Sequence, residues 1–420
     1  MTEEIHESNY FAWFFLIFSF FMPAILLNTV GAVILNLVTQ LHVTMGAASW
    51  LEAFKDVSIM VGAFALASFI PSFGYKKSII VGITLEIIGC IIFALHPSLL
   101  MARIFFMFCG VGFALIKTTV YASVGLFIKD PNKHAGFYSL LEGIFMGGVL
   151  SGMWIYSFFM EHSSWSNAFW FFGILCLLNL IVAFCVKFDE GARDHTMPPS
   201  QEINKNMLGM ASLFKQWIVW LFIIMSFFYV FIEQGVSTWL PIYNKDVLHI
   251  SSALSVQVAS LFPASLAIGR LLGAFVMEKI SWVKVLSFSL IASFICFISA
   301  IMLSYGLGVP VGSWLKLPIA AWIIPLAGLF LAPVYPTICS TIVSAQHQKL
   351  HSSMAGVILL FSALGGTVGS RIVGSLFEAF GGLTAIKAPL LPIIIILIIL
   401  IPYYILVSKA RKIKLETTDS

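Results

Sequence analysis

Apolar runs follow one another along almost the whole chain, each about as long as a helix needs to cross a bilayer. A helix rises ~1.5 Å per residue, so about 20 apolar residues span the hydrocarbon. Cutting these runs at polar or Gly/Pro-containing stretches predicts twelve spans, at 11–38, 46–73, 78–95, 99–125, 134–160, 168–186, 214–243, 252–277, 283–304, 317–343, 352–380 and 389–407. One long polar stretch interrupts them. Lys187–Ser212 carries Asp189, Glu190, Arg193, Asp194, the Pro198-Pro199 pair and Asn204-Lys205-Asn206. It separates six spans from six and reads as a solvated linker. The pattern thus predicts an all-α integral membrane protein: a six-helix bundle over 1–187, a linker over 188–213, a second six-helix bundle over 214–408 and a tail over 409–420.

Composition agrees and narrows the function. Of 420 residues, 60% are hydrophobic and 10% charged, where a soluble domain carries about a quarter charged residues. A net charge of +4 is too small to suggest nucleic acid as a partner. The positions of the basic residues say more than their number. Loops after odd-numbered spans are nearly bare. Loops after even-numbered spans hold Lys76, Lys77, Lys129, Lys133, Lys279, Lys284 and Lys349, and the chain ends in Lys409-Ala410-Arg411-Lys412-Ile413-Lys414. By the positive-inside rule both termini and the linker are expected in the cytoplasm. The first apolar run is too long for a cleavable signal peptide and follows an acidic segment. The six cysteines lie in apolar runs without metal-ligand spacing, and neither a metal nor any other cofactor is expected. No enzymatic constellation or nucleotide-binding loop occurs, so the chain is not expected to be an enzyme.

The halves echo each other. Span 4 reads Gly112-Phe-Ala-Leu-Ile-Lys-Thr-Thr-Val-Tyr121 and span 10 reads Gly328-Leu-Phe-Leu-Ala-Pro-Val-Tyr-Pro-Thr337. Span 5 has Ala135-Gly136 and Gly147-Gly148, while span 11 has Ala355-Gly356 and Gly365-Gly366. Two sets of six spans with a repeat is the layout of carriers that rock one half against the other around a midplane site.

Charges inside the spans are the candidate chemistry, because each costs ~2.5–3.5 kcal/mol at a helix centre unless compensated. Glu233 in span 7 stands out, amid Gln234, Ser237, Thr238 and Trp239. Counting from the span ends puts Lys117 and Glu142 at one depth in the hairpin of spans 4 and 5. They are expected to pair, either as structural glue or as a gate and substrate anchor. The same counting gives Arg371 the depth of Glu233 and suggests a second pair. Glu52, Lys55 and Asp56 share one face of span 2. Glu86 in span 3 is expected to find a partner on a neighbouring span. Asn28 in span 1, Arg103 in span 4 and Arg270 in span 8 are further polar candidates. Tyr121, Trp239 and Tyr335 are candidates for stacking on a solute. Gly143-x-x-x-Gly147 and Gly365–Gly374 are expected to let helices approach closely.

Over essentially its whole length the chain resembles the major facilitator superfamily. Arg103 with Gly110 and Gly112, the glycines Gly143, Gly147, Gly148 and Gly152, and Trp165-Ser-Asn-Ala-Phe-Trp-Phe-Phe carry that resemblance. So do the loops at Gly74-Tyr-Lys-Lys and Met277-Glu-Lys-Ile-Ser-Trp-Val-Lys284. Within the superfamily it is most similar to fucose-permease-type sugar:proton symporters, through Glu233…Trp239, Gly269-Arg270…Gly273 and Tyr335-Pro336-Thr337. It departs from them where they carry a span 4 acid, having Lys117, and where they use a span 1 Asp, having Asn28.

The resemblance implies a secondary transporter working by alternating access as a monomer in a bacterial inner membrane, moving a sugar or sugar-like solute together with a proton. Glu233, Glu142 and Asp56 are then the proton-coupling candidates. Asn28, Arg103, Lys117, Tyr121, Gln234, Trp239, Arg270, Tyr335 and Arg371 are the substrate or gating candidates. The residues themselves leave two alternatives. Four cations inside spans, Arg103, Lys117, Arg270 and Arg371, suit a small organic anion or a carboxylate metal chelator of the siderophore kind. Export of a lipophilic compound is the other.

Overall fold

A backbone in hydrocarbon has no water to bond to and must satisfy its N–H and C=O groups internally, which a helix does within one segment. The computed structural model follows this rule throughout; it describes residues 2–67, 70–127, 131–186, 208–306, 308–347 and 350–418. Among them the only β pairing is an isolated bridge between Ile250 and Val311. The expected linker lies outside the described residues up to position 207.

The helices fall where the apolar runs predict. Span 1 comprises Thr2–Leu27 and Val30–Thr39, span 2 Leu51–Ala67 and Ile70–Phe73, span 3 Tyr75–Leu95, span 4 Leu99–Phe127, span 5 Pro131–His162 and span 6 Asn167–Cys185. Span 7 is Trp217–Asp246, span 8 Ser252–Ala259 with Leu261–Met277, span 9 Trp282–Leu303, span 10 Ala320–Leu331 with Val334–Ala345, span 11 His351–Phe380 and span 12 Leu390–Thr418. Eleven of these are long and apolar enough to cross a membrane. Span 2 falls short of that measure because its described helix has 17 residues and carries Glu52, Lys55 and Asp56. The basic stretch after residue 408 continues the last helix instead of leaving it.

The breaks have local causes. At Asn28-Thr29 the side chains take up freed carbonyls, Asn28 Nδ2 donating to Ala24 O at 2.9 Å and Thr29 Oγ1 to Leu26 O at 2.7 Å. Spans 8 and 10 are interrupted beside Pro263 and Pro333, which lack a backbone donor. Gly381, at φ 77°, turns the chain out of span 11 in a left-handed conformation that residues with a β-carbon rarely adopt.

The chain forms two compact units, residues 1–43 with 51–202, and residues 44–50 with 203–420. The segment 44–50, which precedes span 2 and includes the short helix Met45–Ala48, therefore packs with the second unit. Inside each unit the same contact recurs. In the first, a β-carbon on Gly148 would lie 2.9 Å from the Phe21 carbonyl oxygen, and one on Gly152 2.7 Å from that of Ile25. In the second, Gly365 faces the Phe227 carbonyl, and a β-carbon on Gly369 would lie 2.5 Å from that of Phe231. Span 5 thus lies against span 1 as span 11 lies against span 7, through glycines four residues apart. The repeat legible in the sequence is a repeat of packing. Gly143, in contrast, has nothing within 4 Å, and the nearest atom to a β-carbon on Gly147 would be Phe21 Cε2 at 3.9 Å. The expected Gly143–Gly147 seam is corrected to Gly148–Gly152, because the closest backbone approach falls five residues further along the helix.

Candidate functional site

Among the described residues, each unit carries a part-buried ion pair set in a polar cluster. In the first, Phe113, Lys117 and Tyr121 sit one turn apart on span 4, and Glu142 comes from span 5. Lys117 Nζ lies 3.2 Å from Glu142 Oε1, with the two side chains 41% and 43% exposed. The Tyr121 hydroxyl donates to the same carboxylate oxygen. The Lys117 ammonium also lies over three rings, 5.9 Å from the centre of Phe20, 5.5 Å from Phe113 and 5.4 Å from Tyr121. Phe145 closes the cluster, 5.4 Å from Phe20 and 5.5 Å from Phe113. The expected Lys117–Glu142 pair is formed. The sequence reading missed the cage around it, although Phe113 and Tyr121 at i−4 and i+4 of Lys117 were a visible signal.

In the second unit Arg270 Nη2 donates to Glu233 Oε1 at 3.1 Å. Tyr229, one turn before Glu233, lies within electrostatic reach of both and stacks on Tyr335, with ring centres 5.3 Å apart. The Tyr335 hydroxyl meets Ser362 Oγ at 2.7 Å, and Ser362 meets Ser226 at 3.2 Å. Gln234 is half-buried next to this cluster in sequence.

The expected Glu233–Arg371 pair is not formed. Span 7 presents Phe227, Phe231, Gly235 and Trp239 to span 11, in steps of four. Glu233 is two residues from both Phe231 and Gly235, hence about 200° around the helix from that seam, and it faces span 8. Arg371 instead bonds to the Gly46 carbonyl, reaches Ser49 Oγ at 3.0 Å and lies 5.2 Å from the centre of the Trp50 ring. Glu378, two turns further along span 11, accepts from the Gly46 N–H. Arg371 and Glu378 therefore clasp both backbone groups of one glycine. The sequence reading overlooked Glu378, although its i+7 spacing from Arg371 places both on one helix face.

The remaining candidates are distributed as follows. Trp239 is buried, its indole N–H donating to Ser370 O at 2.9 Å and its rings stacked on Phe377. It belongs to the seam of spans 7 and 11. Arg103 lies over the Phe54 ring at 5.5 Å. Lys55 bridges Glu52 and Asp56, reaching Asp56 Oδ1 at 3.6 Å. Asn28 is held at the span 1 break described above. Glu86 is fully buried with the Cys176 thiol of span 6 at 3.9 Å, and among the described residues no cation pairs with it.

The comparisons fit this architecture. The model of the Major Facilitator Superfamily matches residues 10–370. The glucose/mannose transporter GlcP of Bacillus subtilis (strain 168) is 22% identical over 361 residues, covering 80% of this chain and 84% of its own. Among solved structures, a D-xylose–proton symporter superposes with a TM-score of 0.66 at 14% identity, covering 93% of this chain and 97% of that one. The superfamily transporter FucP, in the outward conformation, gives 0.57 at 16% identity, with 94% and 98% covered. The helices, their internal repeat and the family match lead to one conclusion: the chain is a multi-pass membrane transporter belonging to the major facilitator superfamily.

Proposed function

We propose that this transporter carries a neutral, sugar-like solute together with a proton, in a bacterial inner membrane with both termini cytoplasmic. The observation that carries the reading is the Lys117–Glu142–Tyr121 cluster with its aromatic walls. An ammonium, a carboxylate and a phenol side by side offer donors and acceptors to neighbouring hydroxyls. Aromatic faces beside them suit the C–H surface of a sugar ring. The likeness to the glucose/mannose transporter adds support.

Charge matching favours a neutral solute over an organic anion. Lys117 is matched by Glu142 and Arg270 by Glu233; Arg371 is engaged with Gly46, and Arg103 is stacked on Phe54. The four cations that suggested an anionic cargo are thus drawn into contacts within the protein. Proton coupling rests on Glu233. A carboxylate can hold either a proton or a partner cation, so Glu233, inside a span and held by Arg270, is the group assigned to tie solute movement to a proton.

Uptake of labelled glucose into proteoliposomes with an alkaline interior tests both parts. Accumulation above equilibrium that a protonophore collapses is expected. Glu233→Gln is expected to exchange sugar without accumulating it. Uptake indifferent to the pH gradient, with Glu233→Gln fully active, overturns the coupling. Lys117→Gln keeps a hydrogen-bond donor, so glucose uptake should survive with KM raised about tenfold, the loss of one charge-assisted bond. Wild-type uptake of citrate in preference to glucose, abolished by Lys117→Gln, overturns the neutral-solute reading.

A further inference from the structure

The group that sits in the aromatic cage of the first unit is an ammonium, and it belongs to the protein. Three rings lie 5.4–5.9 Å from Lys117 Nζ, inside the ~6 Å over which a ring face attracts a cation. Glu142 supplies the opposite charge at 3.2 Å. Tyr121 donates to Glu142, which fixes the carboxylate and leaves the tyrosine ring face turned to the cation. Aromatic faces combined with a carboxylate form the site by which proteins recognise ligands bearing an organic ammonium. About two-fifths of each paired side chain is left uncovered by protein.

We propose that this pocket is an organic-ammonium site filled by the protein's own side chain, and that Lys117 is a specificity-determining residue. A tethered group competes at a high effective concentration, of order millimolar or more, so an incoming ammonium meets an occupied cage and a second positive charge. Neutral solutes meet no charge repulsion and can accept a hydrogen bond from the resident ammonium. Lys117 thereby excludes cationic solutes from the wall that receives sugar hydroxyls. Removing its side chain opens a site for a small alkylammonium. The binding claim stands on the cage alone; its consequence for transport rests on the sugar-like reading above.

The test uses the full-length protein in detergent and n-propylammonium, which restores most of the side chain lost in Lys117→Ala. Propylammonium is expected to raise the unfolding temperature of Lys117→Ala and to give a saturable heat of binding, while wild type shows neither. Adding Glu142→Gln should weaken that binding at least tenfold. If Lys117→Ala is too unstable to purify alone, recovery in the presence of propylammonium supports the site, and equal instability with and without it overturns it. No response of folded Lys117→Ala, or an equal response to the uncharged 1-propanol, also overturns it. In liposomes, Lys117→Ala should raise uptake of amino sugars, tested with glucosamine, relative to glucose. Propylammonium binding in a protein whose wild type moves no sugar would leave the ammonium site standing and refute the transport reading.

Discussion

At the scale of single residues, the candidate site is defined by which cation each acid meets. Glu233 meets Arg270, and both side chains are less than one-third exposed. Breaking one partner of such a pair leaves a charge without its counterpart, at a cost that reaches ~3–5 kcal/mol when burial is complete. Double-mutant cycles separate this pair from the alternative. Glu233→Ala and Arg270→Ala should show a coupling of about 0.5–3 kcal/mol in unfolding measurements. Glu233→Ala and Arg371→Ala should add independently, within about 0.5 kcal/mol. The reverse pattern would return Arg371 to Glu233. Counting residues along the chain gave Glu233 and Arg371 a common depth and did not single out Arg270. What could not be read was the direction each side chain takes around its helix.

At the scale of elements, glycine positions decide how closely helices meet. Gly152→Leu and Gly369→Leu would each push a side chain into the carbonyl of a neighbouring span. Overpacking of this kind costs ~1–3 kcal/mol or more, and loss of monodisperse protein in size-exclusion chromatography is expected for both. Gly143→Ala meets open space and should be tolerated, with a gain approaching ~1 kcal/mol from helix propensity. A damaging Gly143→Ala would contradict the seam assigned here. The clasp on Gly46 is a second feature of this scale. Arg371→Ala or Glu378→Ala removes one side of it, and segment 44–50 should then exchange its amide hydrogens faster; unchanged exchange would show that the clasp does not hold it. The sequence indicated the glycine-rich character of spans 5 and 11. Their exact contact register appeared only once the partner helices were in place.

At the scale of the whole molecule, each unit taken by itself holds, among the described residues, a partly exposed pair of opposite charges inside its spans. Lys117–Glu142 lies in the first and Glu233–Arg270 in the second, each a matched pair that remains partly exposed. A carrier with matched pairs on its walls can bind a neutral solute without leaving a charge uncompensated. Glucose accumulation that follows the pH gradient is the expected behaviour of the whole cycle, and Glu233→Gln should uncouple it.

The amino-acid sequence alone determined the membrane class, the helices and the repeat between the halves. Each of these depends on position along one dimension, through run length and a fixed rise per residue. Tertiary structure decided the partners: Arg270 rather than Arg371 for Glu233, Gly46 for Arg371, Phe20 and Phe145 around Lys117, and Gly148–Gly152 as the seam. Those contacts depend on how each helix is rotated and which neighbour it meets. Rotation is set by packing among many helices together, and counting along one of them carries no information about it.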